Sequence, residues 1–132
     1  MVNVHDLMDT PFVPGGREIG KGLDCWGLYI EVMKRFGVNV PDFQISCFAA
    51  DLVNQEKLEV TKNLMEPVAH PVPGDGVAMA IHPEAPDMVQ HFGVMVDKRR
   101  FIHTIQKIGP MLTRLDAFWW SNKIRGFYRW KK

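Results

Sequence analysis

Residues 70–81 read HPVPGDGVAMAI, and the hydrophobic period of the chain changes within them. The prolines, glycines and aspartate of the first half break any helix. The apolar second half opens a series of short runs of strand character: GVAMAI (76–81), HFGVMV (91–96), RFIHTI (100–105) and KIRGFYRW (123–130), each bounded by Pro, Gly or Asp. Before this point the period is helical. In GLDCWGLYIEVMKRFG, residues 22–37, Trp26, Tyr29, Ile30, Met33 and Phe36 recur on one face, and Glu31, Lys34 and Arg35 take the rest. Asp24 stands as N-cap, and Gly37 with Pro41 ends the run, so a helix is predicted over residues 24–36. A second helix is predicted from Ser46 to Glu56 on Phe48, Leu52 and Val53, extending less regularly to Glu66. The first 21 residues, interrupted by Pro11, Pro14, Gly15, Gly16 and Gly20, read as an irregular approach. Helices first and strands second predict an α+β fold, with N-terminal helices packed on a small antiparallel sheet.

No repeat or composition break divides the chain, and 132 residues suit a single domain, residues 1–132, able to bury a core without a structural metal. With 46% hydrophobic and 23% charged residues, the composition is that of a globular chain. No apolar run approaches the roughly 18 residues of a membrane helix. The N-terminal MVNVHDLMDTPFVP lacks a basic start and a long apolar stretch, so the expectation is synthesis without a signal peptide and a cytoplasmic start. Two cysteines, Cys25 and Cys47, are too few for a disulfide framework, and in a reducing compartment both are expected as free thiols. Charge is uneven: residues 1–97 hold 6 basic and 14 acidic side chains, residues 98–132 hold 10 basic and one acidic, Asp116. The basic, aromatic FWWSNKIRGFYRWKK could stack bases and neutralise phosphates. Alternation of Ile124, Gly126, Tyr128 and Trp130 against Lys123, Arg125, Phe127 and Arg129 instead favours a half-buried strand with a solvated basic face, so nucleic acid is not the expected partner.

Cys25 draws the chemical reading. The thiolate is the reactive form of cysteine, and the unpaired N–H groups of a helix N-terminus stabilise it. The alternative is a small buried hydrophobe at a helix start. HFGVMVDKRRFIHTI, residues 91–105, reads as a hairpin turning at Asp97–Arg99, which gives His91 and His103 the same parity and directs both imidazoles to one face. Cys25 as nucleophile, His91 as base and His103 as the group that orients the base would meet the needs of thiol catalysis. The five histidines, His5, His70, His82, His91 and His103, lack zinc-site spacing, and no metal or other cofactor is expected. GGREIGKG has neither Walker spacing nor a preceding strand, and it reads as a loop near the thiol.

In order along the chain, PFVPGG, GLDCWGLYIEV, VPGDGVAMAI, HFGVMV and FIHT resemble the landmarks of the NlpC-type, papain-like cell-wall cysteine peptidases, over roughly residues 11–108. The resemblance implies a papain-like fold, no cofactor, and Cys25, His91 and His103 as the catalytic set. It implies hydrolysis of peptidoglycan stem peptides, often between D-glutamate and the following diamino acid. Asp24 would be cap and neighbour to the site, which Phe12 and Trp26 would line. Phe12 stands where many members carry a tyrosine, Pro14 where an aromatic is common, and Trp26 where a small residue is frequent. The DCWGL form and the single domain look similar to versions encoded beside phage tail genes, which implies tail proteins as partners, no membrane, and action at the wall from a virion tail. An acyltransferase using the same triad is an alternative outcome. A catalytically silent tail-assembly or binding protein is the rival from another class, and the intact Cys25, His91 and His103 argue against it.

Overall fold

Asp24 starts the first helix as its sequence predicts, with Oδ1 accepting from the backbone N–H of Gly27 at 2.9 Å. The computed structural model describes residues 2–42 and 64–131. A 3-10 turn, His5–Leu7, leads to a two-stranded antiparallel ribbon of β1 (Arg17–Glu18) and β2 (Gly22–Leu23), then to α1 (Cys25–Arg35). Six strands follow: β3 (Met65–Val68), β4 (Gly76–Met79), β5 (His91–Met95), β6 (Arg100–Ile105), β7 (Gly109–Arg114) and β8 (Ile124–Trp130), with the short helix α2 (Phe118–Ser121) before the last. They form one sheet in the order β3-β8-β4-β5-β6-β7, every described pairing antiparallel. The fold is α+β. The helix expected from Ser46 lies outside the described residues. Its extension to Glu66 does not hold, because Met65 and Glu66 pair with Trp130 and Arg129 as an edge strand.

The sheet is covered on both faces. On one, α1 lays Trp26, Tyr29 and Met33 against Phe92, Val94 and Ile102, all buried. Each such large side chain contributes roughly 1.5–3 kcal/mol through the surface it removes from water. On the other, Val77, Met79, Met95 and Phe101 form a smaller core with Leu115, Trp120, Ile124 and Phe127. Ile124 and Phe127 share that core despite opposite parity. The register slips between Ala78, opposite Gly126, and Met79, opposite Ile124, so Arg125 is the extra residue of a bulge. The strict alternation expected for 123–130 is therefore corrected: Tyr128 and Trp130 pack on the α1 side, and Ile124 joins Phe127 on the other.

The PGDG turn is built on a buried carboxylate. Asp75, 2% exposed, accepts from the Val72 N–H at 2.8 Å and takes a two-pronged Arg129 guanidinium at 2.9 and 2.8 Å. The bond fastens the entry of β4 to β8.

Near the start of α1 the packing leaves no room for a side chain. A Cβ on Gly27 would collide with the Gly16 carbonyl oxygen and press Leu23 at 3.2 Å. Gly27→Ala in an exposed helix would stabilise by about 1 kcal/mol. Here it should destabilise by about 1–3 kcal/mol through overpacking, read as a lower denaturant midpoint at unchanged m-value. A raised midpoint would show that the Gly16 loop yields freely.

Candidate active site

Three neighbouring strands place a polar row on an otherwise apolar sheet face. The β5–β6 hairpin turns where the sequence predicts, with Val96 N–H and Asp97 N–H donating to the Arg100 carbonyl and Val94 paired with Ile102. In that register Gly93 is the close neighbour of His103: a Cβ at Gly93 would stand 3.1 Å from the His103 Cβ and 3.0 Å from the Phe101 ring. His91, two residues before Gly93, reaches across the space that glycine leaves. Its Nε2 lies 2.8 Å from His103 Nδ1, and both rings are buried. On the far side His103 Nε2 lies 2.8 Å from the Thr113 hydroxyl oxygen of β7, itself 6% exposed.

Aromatic rings enclose this row. The Trp120 indole of α2 stands edge-on to His103 at 4.5 Å between centroids and 6.1 Å from His91, and Phe101 lies 4.8 Å from His103. Burial pushes the His103 imidazole down to about 3, far below the ordinary 6.5, so the ring is neutral at physiological pH. His91 opens onto a cleft of about 280 Å³ lined also by Phe12, Ile81, His82, Gln90 and Ile105. The Gln90 carboxamide shapes its rim, accepting from the N–H groups of Ile81 and His82 at 2.7 and 3.2 Å and donating to the Ala85 carbonyl at 2.9 Å.

Cys25 is the first residue of α1, 1% exposed. Trp26 and Phe92, the residues that follow Cys25 and His91, hold their ring centroids 6.3 Å apart, which brings the helix start to the end of the sheet where β5 begins. The Cys25 sulfur is in a disulfide, and no described cysteine is free. The expectation of a free thiol at Cys25 is corrected accordingly. Cys47 lies outside the described residues.

Of the remaining sequence candidates, Phe12 lines the cleft beside His91. Trp26 is buried in the α1 core, packed on Tyr29 at 5.1 Å. Asp24 is fully buried, and beyond its helix cap it accepts from Gly15 N–H at 3.0 Å and from Arg17 Nη1 at 2.6 Å. A carboxylate so engaged is a structural acceptor, as expected of a cap. Sequence reasoning missed Thr113 and the role of Trp120. The first sits in a strand whose sequence, GPMLTR, carries little strand signal, and the second was read with the basic tail. Among the described residues, no three His, Cys, Asp or Glu side chains are grouped to hold a metal ion. No described helix is long and apolar enough to cross a membrane.

The NlpC/P60 family pattern matches residues 9–129, and the chain belongs to that family. Its fold is similar to the crystal structure of a Staphylococcus aureus NLP/P60-family protein described as similar to lipoprotein, with a TM-score of 0.63 and 21% identity. The match covers 93% of this chain and 37% of the Staphylococcus aureus chain, so this chain spans well under half of that relative's length. No curated protein matches the sequence.

The neutral His103 makes stability depend on pH. The unfolded ring takes up its proton near 6.5 and the folded one only near 3. The unfolded state therefore binds the extra proton across that window, and stability is lost as pH falls through it. His103→Gln should remove up to about 1.4 kcal/mol per pH unit of that slope, measured by urea denaturation between about pH 6 and pH 4. Equal slopes for parent and variant would mean that His103 ionises freely in the fold.

Proposed function

We propose that the chain is a thiol peptidase or amidase of cell-wall peptides, with Cys25 as nucleophile, His91 as general base and His103 as the residue that orients it. The NlpC/P60 family is generally one of cysteine peptidases and amidases acting on peptidoglycan peptides. The observation that carries the reading here is the buried His91–His103 bond, beside the 6.3 Å approach of Trp26 and Phe92, the residues that follow Cys25 and His91. With His91 Nε2 turned to His103, this reading takes Nδ1 as the nitrogen that serves the thiol.

In this reaction His91 Nδ1 takes the thiol proton and the thiolate attacks the peptide carbonyl carbon. The backbone N–H of Cys25, at the positive end of α1, donates to the developing oxyanion. The tetrahedral species collapses to a thioester as His91 delivers its proton to the departing amine. Water, giving its proton to His91, then releases the acid and restores the thiol. The cleft beside Phe12 supports a peptide substrate with an apolar flank, and the γ-D-glutamyl–diamino acid bond is the proposed point of cleavage.

The disulfide adds a requirement, because a sulfur in a disulfide has no thiolate to offer. Purified protein should release amino groups from peptidoglycan only after treatment with dithiothreitol, and EDTA should leave that activity unchanged. Cys25→Ala should fold with an unchanged denaturation midpoint in reductant and lose at least about 1,000-fold in rate. Activity that survives in Cys25→Ala, or that EDTA abolishes and zinc restores, would overturn the thiol reading.

A further inference from the structure

Thr113 completes the row begun by His91 and His103, and the proton positions along that row are constrained at both ends. For His91 to accept the thiol proton at Nδ1, its Nε2 must carry hydrogen and donate to His103 Nδ1. When His91 is an imidazolium, the same Nε2–H needs the same acceptor. His103 must then be the tautomer with a bare Nδ1 and a protonated Nε2, and Nε2–H must be satisfied in turn within a buried site. The atom that meets it is Thr113 Oγ1, at 2.8 Å. We propose that Thr113 is a positioning residue for this reaction: as acceptor from His103 Nε2–H it selects the His103 tautomer that keeps His91 a base. The inference rests on the His91 base reading above.

The opposite arrangement shows why a hydroxyl at this position matters. With no acceptor at position 113, the unmet Nε2–H would favour moving the His103 proton to Nδ1, where it donates to His91 Nε2. His91 would then hold its own proton on Nδ1, facing the thiol with a donor in place of a lone pair, and its imidazolium would lose its acceptor. Among the described residues, the His103 ring meets His91 from β5, Phe101 from its own strand, Thr113 from β7 and Trp120 from α2, and none of these is a carboxylate, lysine or arginine. Burial that keeps His103 uncharged makes its tautomer the variable that remains.

The test uses the full chain, reduced and labelled with nitrogen-15, and the ring-nitrogen resonances of His103 near pH 7. The parent and Thr113→Ser should show a protonated Nε2 and bare Nδ1. Thr113→Val, which matches threonine in shape but lacks the hydroxyl, should shift the population toward the protonated Nδ1. Alkylation of reduced Cys25 by iodoacetamide at about pH 6 should slow on the order of 10- to 100-fold in Thr113→Val and recover in Thr113→Ser, as when other partners that fix a histidine tautomer are lost. The pH midpoint of alkylation should rise in the valine variant, since the thiolate–imidazolium pair is weakened. A parent His103 protonated on Nδ1 would overturn the proposal without any variant. So would a valine variant with unchanged tautomer and alkylation profile. Tautomer and alkylation behaving as expected in a protein inert toward peptidoglycan would uphold Thr113 and overturn the substrate assignment instead.

Discussion

The carboxylate of Asp24 is the contact on which the rest of the site depends. It is wholly buried, and it accepts hydrogen bonds from the backbone of Gly15, the backbone of Gly27 and the guanidinium of Arg17. One side chain thus joins the approach loop, the ribbon and the first turn of α1. A buried anion would be severely unfavourable alone, and the donors that surround it offset that cost only while all of them hold their places. Arg17 also donates to Asp42 beyond the end of α1 and to the Gly16 carbonyl, so the same cation is held from three directions. The position of Cys25, one residue further on, follows from this arrangement.

The second constraint is the polar row in the sheet. Two imidazoles and a hydroxyl on a face of methionine, valine and phenylalanine are tolerable only because each ring nitrogen between them has a partner. Glycine at 93 is the backbone condition for it, since any side chain there would strike the Ile102 carbonyl oxygen at 2.9 Å and the His103 Cβ. Trp120 then caps the row, with Trp119 edge-on to it at 4.5 Å and the Lys123 ammonium over the Trp119 ring, so that the aromatic run before β8 serves the site and the smaller core together.

How much of this was legible in the sequence divides along the sheet. The central strands β4, β5 and β6 carry β-branched and aromatic residues between breakers, and their starts, hairpin turn and histidine parity follow from period alone, while β4 and β5 end two and one residues earlier than the apolar runs suggest. Besides the short ribbon of β1 and β2, the two strands that escaped, β3 and β7, are the edges of the six-stranded sheet, and each contains a proline, Pro67 and Pro110. Proline is excluded from central ladders but tolerated at an edge, so edge strands look like loops in a linear reading and are formed by the neighbour they pair with. Missing β7 meant missing Thr113, which no motif marks. The bulge at Arg125 was invisible for a related reason: a slip in register is a property of two strands and leaves no trace in one.

The charge imbalance resolves in the same way. Arg129 pairs with Asp75, Arg100 with Asp97 and Arg114 with Asp116, so part of the basic excess of residues 98–132 is matched in place, once by an aspartate far earlier in the chain. The Arg129–Asp75 bond is the consequential one, because Asp75 is buried and also closes the turn that starts β4. The aspartates in two of the sequence landmarks, LDCWG and PGDG, therefore do structural work of one kind: each is a buried acceptor that fixes where an element begins. Chemistry is left to the neighbours whose positions they determine. Asp24 sets the helix start that carries Cys25, and Asp75 fixes the entry of β4 against β8, on whose other side β4 pairs with β5 and sets Met79 opposite His91.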